Sequence, residues 1–130
     1  MMILLDTHVA YWLLFDSNKI PEHIKTVINE NEDNIYVSTL SLWEIEIKHN
    51  KDEKLIVNGQ IFEEFCKKAG ITVIPFDMND INDYELFYIQ NIHKDPFDLA
   101  LLSTCMDKGM SLLTHDKKLK EYSGVPIIYF

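Results

Sequence analysis

The chain has 130 residues, 47% of them apolar and 25% charged, which matches one domain able to bury a core without disulfides and excludes a disordered or fibrous protein. Its 21 acidic residues against 12 basic ones give a formal net charge of −9, which excludes broad electrostatic capture of nucleic acid and favours attraction of a basic partner protein. Every basic residue is lysine, so planar bidentate clamps on phosphate are excluded as well.

The unbroken apolar run Ile3 to Leu5 predicts a first strand, closed by Asp6 and followed by a helical run from Val9 to Leu14. The stretch Val9 to Phe15 is far shorter than the roughly 20 residues a membrane helix needs. No basic region precedes a start interrupted by Asp6 and His8, so a signal peptide is not expected either. Ser17 to Pro21 reads as a turn, Ile20 to Glu30 as a helix, Ile35 to Val37 as a strand and Leu40 to His49 as a helix. The charged run Lys51 to Lys54 reads as a solvated connection, and Asn58 with Gly59 punctuates before a helix over Gln60 to Lys68. Gly70 is its expected C-cap, and the strand run Ile71 to Phe76 follows. Helices are then predicted over Ile81 to Gln90 and Pro96 to Lys108, the latter stopped by Gly109. Strands Ser111 to Thr114 and Val125 to Phe130, separated by a short helix over Lys117 to Glu121, complete the chain.

Continuous apolar strands alternating with helices predict an α/β fold, a three-layer α/β/α sandwich around a central, mostly parallel sheet of about five strands. Cys66 and Cys105 stand far apart without CxxC spacing, so neither a disulfide framework nor a zinc site is expected, and the protein is expected to be reduced and cytoplasmic.

Asp6, Glu44, Asp98 and Asp116 each stand just past an apolar run or near a predicted helix start. Each has a structural explanation. Asp6 suits an N-cap; Glu44 completes a capping box with Ser41 and pairs with Lys48 one turn on. Asp95 caps a helix whose first position is Pro96 and whose first turn holds Asp98, while Asp116 caps the short helix after it. Capping does not require the carboxylates to share a crevice, yet in an open parallel sheet every strand ends and every following helix begins along one edge. Two carboxylates about 5 Å apart repel by roughly 3 kcal/mol at an effective dielectric of about 20, so a cluster needs a cation or protons. Oxygen donors favour Mg²⁺ or Mn²⁺ over Zn²⁺. His8, His93 and His115 neighbour three of the acids and raise a mixed histidine–carboxylate site, although histidines beside turns more often cap, pack or face water. Trp12, Trp43 and the Tyr84, Phe87, Tyr88 group read as core or interface rather than as base-stacking platforms.

The strings LLDTHV at 4 to 9, SLWEIEIK at 41 to 48, HKDPFDLALL at 93 to 102 and LLTHD at 112 to 116 together resemble PIN-domain nucleases, specifically VapC-type toxins of toxin–antitoxin pairs. The resemblance runs nearly end to end and implies one PIN-like nuclease domain over residues 1–130. It implies that Asp6, Glu44, Asp98 and Asp116 are the acidic quartet, with Asp6, Asp98 and Asp116 the metal shell and Glu44 a ligand or an orienter of water. Thr7 and Thr114 fall where the family often has supporting hydroxyls. Two features depart from the pattern: Leu99 stands where Arg often follows, and the glycine after the glutamate helix is absent around Lys51 to Lys54. The resemblance implies that the first removes a phosphate contact.

The implied activity is Mg²⁺-dependent endoribonucleolytic hydrolysis, leaving a 5′-phosphate and a 3′-hydroxyl, with a structured RNA such as tRNA favoured and Lys48 a candidate phosphate contact. A small antitoxin with a basic segment and a homodimer partner are the implied protein partners. A PIN fold acting mainly through complex formation is the competing class. Receiver domains and haloacid-dehalogenase-like phosphatases fit poorly, because His8 stands where the latter need a second acid.

Overall fold

The computed structural model describes residues 1–51 and 55–130. The predicted connection at Lys51 to Lys54 therefore lies, beyond Lys51, outside the described residues. Strands β1 (Ile3–Leu5), β2 (Ile35–Ser38), β3 (Thr72–Ile74), β4 (Ser111–Thr114) and β5 (Ile127–Tyr129) form one sheet in the order β3-β2-β1-β4-β5. Every neighbouring pair is parallel, so the mostly parallel expectation becomes a wholly parallel sheet.

Helices α1 (Thr7–Phe15), α2 (Glu22–Glu30), α3 (Thr39–Asn50), α4 (Gly59–Lys68), α5 (Met78–Ile81), α6 (Tyr84–Tyr88) and α7 (Pro96–Lys108) cover the sheet. Alternation along the central strands sorts the core into two layers. Ile3 and Leu5 pack with Val9, Ile24, Ile45 and Phe62 on one side. Leu4 packs with Phe87, Leu99, Leu101 and Leu102 on the other. β1 is buried along its whole length, as a central strand covered on both faces must be. Among the described residues no helix is long and apolar enough to cross a membrane.

Three boundaries differ from the sequence expectation for local reasons. The predicted Ile81 to Gln90 helix is two short helices, because a capping box between Asp77 and Asp80 starts α5 early and the chain turns at Asn82 and Asp83. α3 begins at Thr39 with Ser38 as its N-cap, so the Ser41–Glu44 capping box does not form. The short helix after β4 is a single 3-10 turn over Leu119–Glu121, and Asp116 instead accepts the Lys118 N–H at 2.9 Å.

Where α4 crosses α3 the backbones come close. A Cβ built on Gly59 would stand 2.7 Å from the Leu42 carbonyl oxygen, and the Gly59 N–H donates to Glu46 Oε1 at 3.1 Å. α7 ends on Gly109 in the left-handed region at φ 69°, as its C-cap position demands.

From β1 the chain proceeds outward to β2 and β3, then returns to β4 on the other side of β1. The order therefore reverses between β1 and β4. In parallel α/β sheets the crevice beyond the strand ends at such a switch point is where ligands bind. Asp6 directly follows β1 and Asp116 lies two residues past β4.

Candidate functional site

The floor of that crevice is Asp6, 5% exposed. Its Oδ1 accepts the Thr7 N–H at 2.7 Å, the N-cap contact expected from sequence, and its Oδ2 accepts the Thr114 hydroxyl at 2.7 Å. The same Thr114 oxygen accepts the Asp116 N–H at 3.0 Å, so one buried hydroxyl ties together acids from the ends of β1 and β4. Thr7 in turn donates its hydroxyl to Ser41 at 2.8 Å, which joins the start of α1 to α3. Burial pushes the Asp6 carboxyl above the usual range, opposed chiefly by the Thr114 hydroxyl.

Asp98 comes from the first turn of α7. Asp95 caps that helix by accepting the Phe97 N–H at 2.9 Å, and Pro96 fills the first turn, as predicted. Capping and crevice roles are thus divided between two acids three residues apart. The Asp98 carboxyl is pushed up to about 8, first by burial and then by the charges of Asp6, Asp95, Glu44 and Asp116. That repulsion is the electrostatic signature of acids gathered from four parts of the chain.

Glu44 sits on α3 and pairs with Lys48 at 3.2 Å, as its i,i+4 spacing predicts. Lys48 Nζ also lies 3.5 Å from His8 Nε2, which puts the lysine at the crevice rim. The three histidines separate. His8 faces Lys48, and His115 bonds the Phe130 carbonyl, but His93 enters the acidic cluster. Its Nε2 is 2.7 Å from Asp98 Oδ2 and 3.9 Å from Asp116 Oδ2. One donor atom from each of His93, Asp98 and Asp116 falls within 4.8 Å of the others.

This donor set fits a divalent cation: a half-buried cluster of carboxylates, one raised to about 8 by burial and by its acidic neighbours, is stabilised by any positive ion that enters. A second acidic group, Asp77, Asp80 and Asp107, has no such need. Lys108 Nζ sits among its members, 3.0 Å from Asp80, 3.4 Å from Asp77 and 3.5 Å from Asp107.

Beside the acids, Asp6, His8, Trp12, His115 and Asp116 line a pocket of about 280 Å³. Trp12 and His115 meet edge-on at 5.3 Å and form its aromatic side. A second, wholly apolar groove of about 390 Å³ lies between α3 and α7, where Trp43 meets Phe97 at 5.2 Å. Trp43 is 60% exposed, so it is not a core residue; Phe87 is, and Tyr88 is not.

Leu99 is fully buried in the core beneath α7. The leucine in place of arginine therefore packs under the helix. His93 reads in the sequence as a residue that caps, packs or faces water, yet it stands in the cluster; Ser41 is a hydrogen-bond partner of Thr7 rather than a cap, and the Tyr122 hydroxyl clamps the His93 backbone. Only spacing pointed to His93, five residues before Asp98 in HKDPFD.

The family profile described as PIN domain matches residues 3–125. No curated protein sequence matches the chain. Among solved structures, the chain is similar to one from DNA-bound VapBC of Salmonella typhimurium, with a TM-score of 0.74 and 16% identity over 99% of this chain and 98% of that one. It is likewise similar to one from VapBC2 of Rickettsia felis bound to a promoter DNA fragment, at 0.73 and 17% over 99% and 98%. VapBC-5 from Mycobacterium tuberculosis contains another, at 0.64 and 17% over the full length of both chains. At these identities the likeness establishes the shared fold.

Proposed function

The chain belongs to the PIN-domain family of nucleases, and on that premise we propose that it is a divalent-metal-dependent endoribonuclease acting as the toxin of a toxin–antitoxin pair. The observation that supports this reading is that His93, Asp98 and Asp116 offer donor atoms within 4.8 Å of one another at the switch-point crevice, where Asp98 is raised by burial and then by the charges of Asp6, Asp95, Glu44 and Asp116. Asp98 and Asp116 hold Mg²⁺ or Mn²⁺ together with Asp6. When bound, such an ion lowers the pKa of water and offsets charge on the scissile phosphate.

The residues divide the remaining work. Thr114 and Thr7 fix Asp6 so that its carboxylate cannot rotate away from the crevice. Glu44, braced by Lys48, orients the attacking water in line with the departing 3′ oxygen. Lys48 at the rim meets a flanking phosphate, a contact that a point charge can make without a guanidinium. Attack by water at phosphorus leaves a 5′-phosphate and a 3′-hydroxyl.

Because the chain carries a formal charge of −9, RNA approaches through local lysines and the ion rather than across a basic face. That favours a structured RNA such as tRNA, cut at one accessible position. The same charge suits a small antitoxin whose basic segment covers the crevice. The solved relatives come from VapBC assemblies, which supports a protein partner here as well. A second copy covers the apolar groove at Trp43 and Phe97, which lies on the helices that carry Glu44 and Asp98.

RNA cleavage by wild type with Mg²⁺, by wild type with EDTA, and by Asp98→Asn, on tRNA and an unstructured RNA side by side, tests metal, residue and substrate together. Cleavage only in the first case, and faster on tRNA, is expected. Full activity in EDTA or in the variant sinks the reading. A wild type that binds no metal and cuts neither RNA favours instead a PIN fold that acts through complex formation.

A further inference from the structure

His93 enters the crevice from a loop, yet its position is fixed from two sides. The Tyr122 hydroxyl donates to the His93 carbonyl at 2.7 Å and accepts the His93 N–H at 2.9 Å. Tyr122 is itself buried, with its ring against Phe87 at 6.1 Å. Two and three residues on from His93, Asp95 and Pro96 lock the start of α7. Holding a loop residue this firmly gives its ring one preferred approach to the acids, as preorganised ligand shells require.

The ring nitrogen lies where a ligand belongs. Adjacent oxygen ligands of a six-coordinate Mg²⁺ at about 2.1 Å stand about 3 Å apart, and opposed ones about 4 Å. His93 Nε2 stands 2.7 Å from Asp98 Oδ2 and 3.9 Å from Asp116 Oδ2, close to one edge and one diagonal of such a shell. Resting on the metal-dependent reading above, we infer that His93 Nε2 is a direct ligand of the divalent ion held by Asp98 and Asp116, so the site is a mixed nitrogen and oxygen site. The competing role for the ring is a hydrogen bond to Asp98 that ends, with the ring displaced, when an ion arrives.

Coordination requires the neutral ring with its proton on Nδ1 and its Nε2 lone pair toward the ion, so the hydrogen bond between Nε2 and Asp98 is exchanged for two bonds to one cation. An imidazole donor also shifts preference away from Mg²⁺, which favours oxygen, and toward transition ions. Asp98 and Asp116 alone carry no such bias.

Mn²⁺ alone is the probe. Electron spin-echo spectroscopy of Mn²⁺ bound to the wild-type chain is expected to show coupling to one imidazole nitrogen, which moves to the ¹⁵N pattern when the protein is labelled with ¹⁵N-histidine. His93→Gln should lose that coupling, while His8→Gln and His115→Gln keep it. The Mn²⁺ Kd should rise about 10- to 100-fold in His93→Gln, with a smaller change for Mg²⁺. If His93→Gln does not fold, the assignment is decided by His8→Gln and His115→Gln, since loss of the coupling in either overturns it. Mn²⁺ binding without nitrogen coupling overturns the assignment of His93 and leaves a carboxylate site standing. Failure of Mn²⁺ to bind the wild type overturns both this assignment and the metal-dependent reading beneath it.

Discussion

Asp98→Asn removes a buried carboxyl on which the charges of Asp6, Asp95, Glu44 and Asp116 all act, and its effect on stability has a definite pH dependence. In the folded, metal-free protein the Asp98 carboxyl titrates at about 8, against about 3.9 in an unfolded chain. Between those values the folded form holds a proton that the unfolded form has released, so stability falls as pH rises and levels off above about 8. Each pH unit in that window costs about 1.4 kcal/mol, so from about pH 5 to pH 8 wild type loses about 4 kcal/mol through this group. Asparagine does not titrate, and contributions from groups common to both proteins largely cancel in the difference. Relative to its difference from wild type near pH 5, the variant should therefore gain about 4 kcal/mol by pH 9, or about 12 °C in Tm for a domain of this size. Thermal denaturation of EDTA-treated protein across pH 5 to 9 reads the difference directly. Added Mg²⁺ should raise the Tm of wild type more than that of the variant. A difference that does not change with pH refutes the picture of a self-repelling carboxylate cluster.

Thr114→Val leaves Asp6 Oδ2 and the Asp116 N–H without their buried partner; we expect a loss of about 1–3 kcal/mol in urea denaturation and at least about a 10-fold fall in RNA cleavage. Tyr122→Phe removes both contacts to the His93 backbone and should cost about 1–2 kcal/mol in urea denaturation while weakening Mn²⁺ binding measured by titration calorimetry. Gly59→Ala places a methyl 2.7 Å from the Leu42 carbonyl, and the clash should outweigh the gain in helix propensity, for a net loss of about 1–2 kcal/mol by chemical denaturation. Trp43→Asp, at a residue 60% exposed, should turn a dimer into a monomer in analytical ultracentrifugation with little change in the monomer's own fold by circular dichroism.

What could be read from sequence follows from which physical constraint acts locally. β1 and β4 occupy the predicted spans Ile3 to Leu5 and Ser111 to Thr114, because central strands buried on both faces must be apolar throughout. β3 and β5 occupy less than their predicted runs, Thr72–Ile74 and Ile127–Tyr129, since each has a neighbour on one side alone and the ladder stops where that neighbour ends. Asp95, Pro96 and Gly109 marked α7 to the residue because capping chemistry is local. The Ser41–Glu44 pattern misled for the same reason in reverse: the helix already had a cap in Ser38, and Ser41 was free to accept a hydrogen bond from Thr7. His93 was hidden because what holds it in place, Tyr122, lies 29 residues away in a segment with no recognisable motif.

The two acidic clusters show why one is an active-site candidate and the other is not. Asp77, Asp80 and Asp107 surround Lys108, whose ammonium is covalently part of the chain and cannot leave, so part of their charge is offset permanently and the group braces α5 against α7. At the switch point Lys48 is committed to Glu44, and among the described residues no lysine pairs with Asp6, Asp98 or Asp116. Their repulsion is relieved by protonation of Asp98 or by an ion that can come and go. Helix starts deliver these carboxylates to the crevice, and the positive ends of α1 and α7 offset part of the cost of keeping them there. What remains is a site with an uncompensated need for a cation. Introducing a resident one should remove that need: His93→Lys, which puts an ammonium beside Asp98 and Asp116 at a part-exposed position, should raise stability at pH 9 in EDTA and abolish both the Mg²⁺-linked rise in Tm and RNA cleavage. If the variant still gains as much from Mg²⁺ as wild type does, charge balance is not what draws the ion to this crevice.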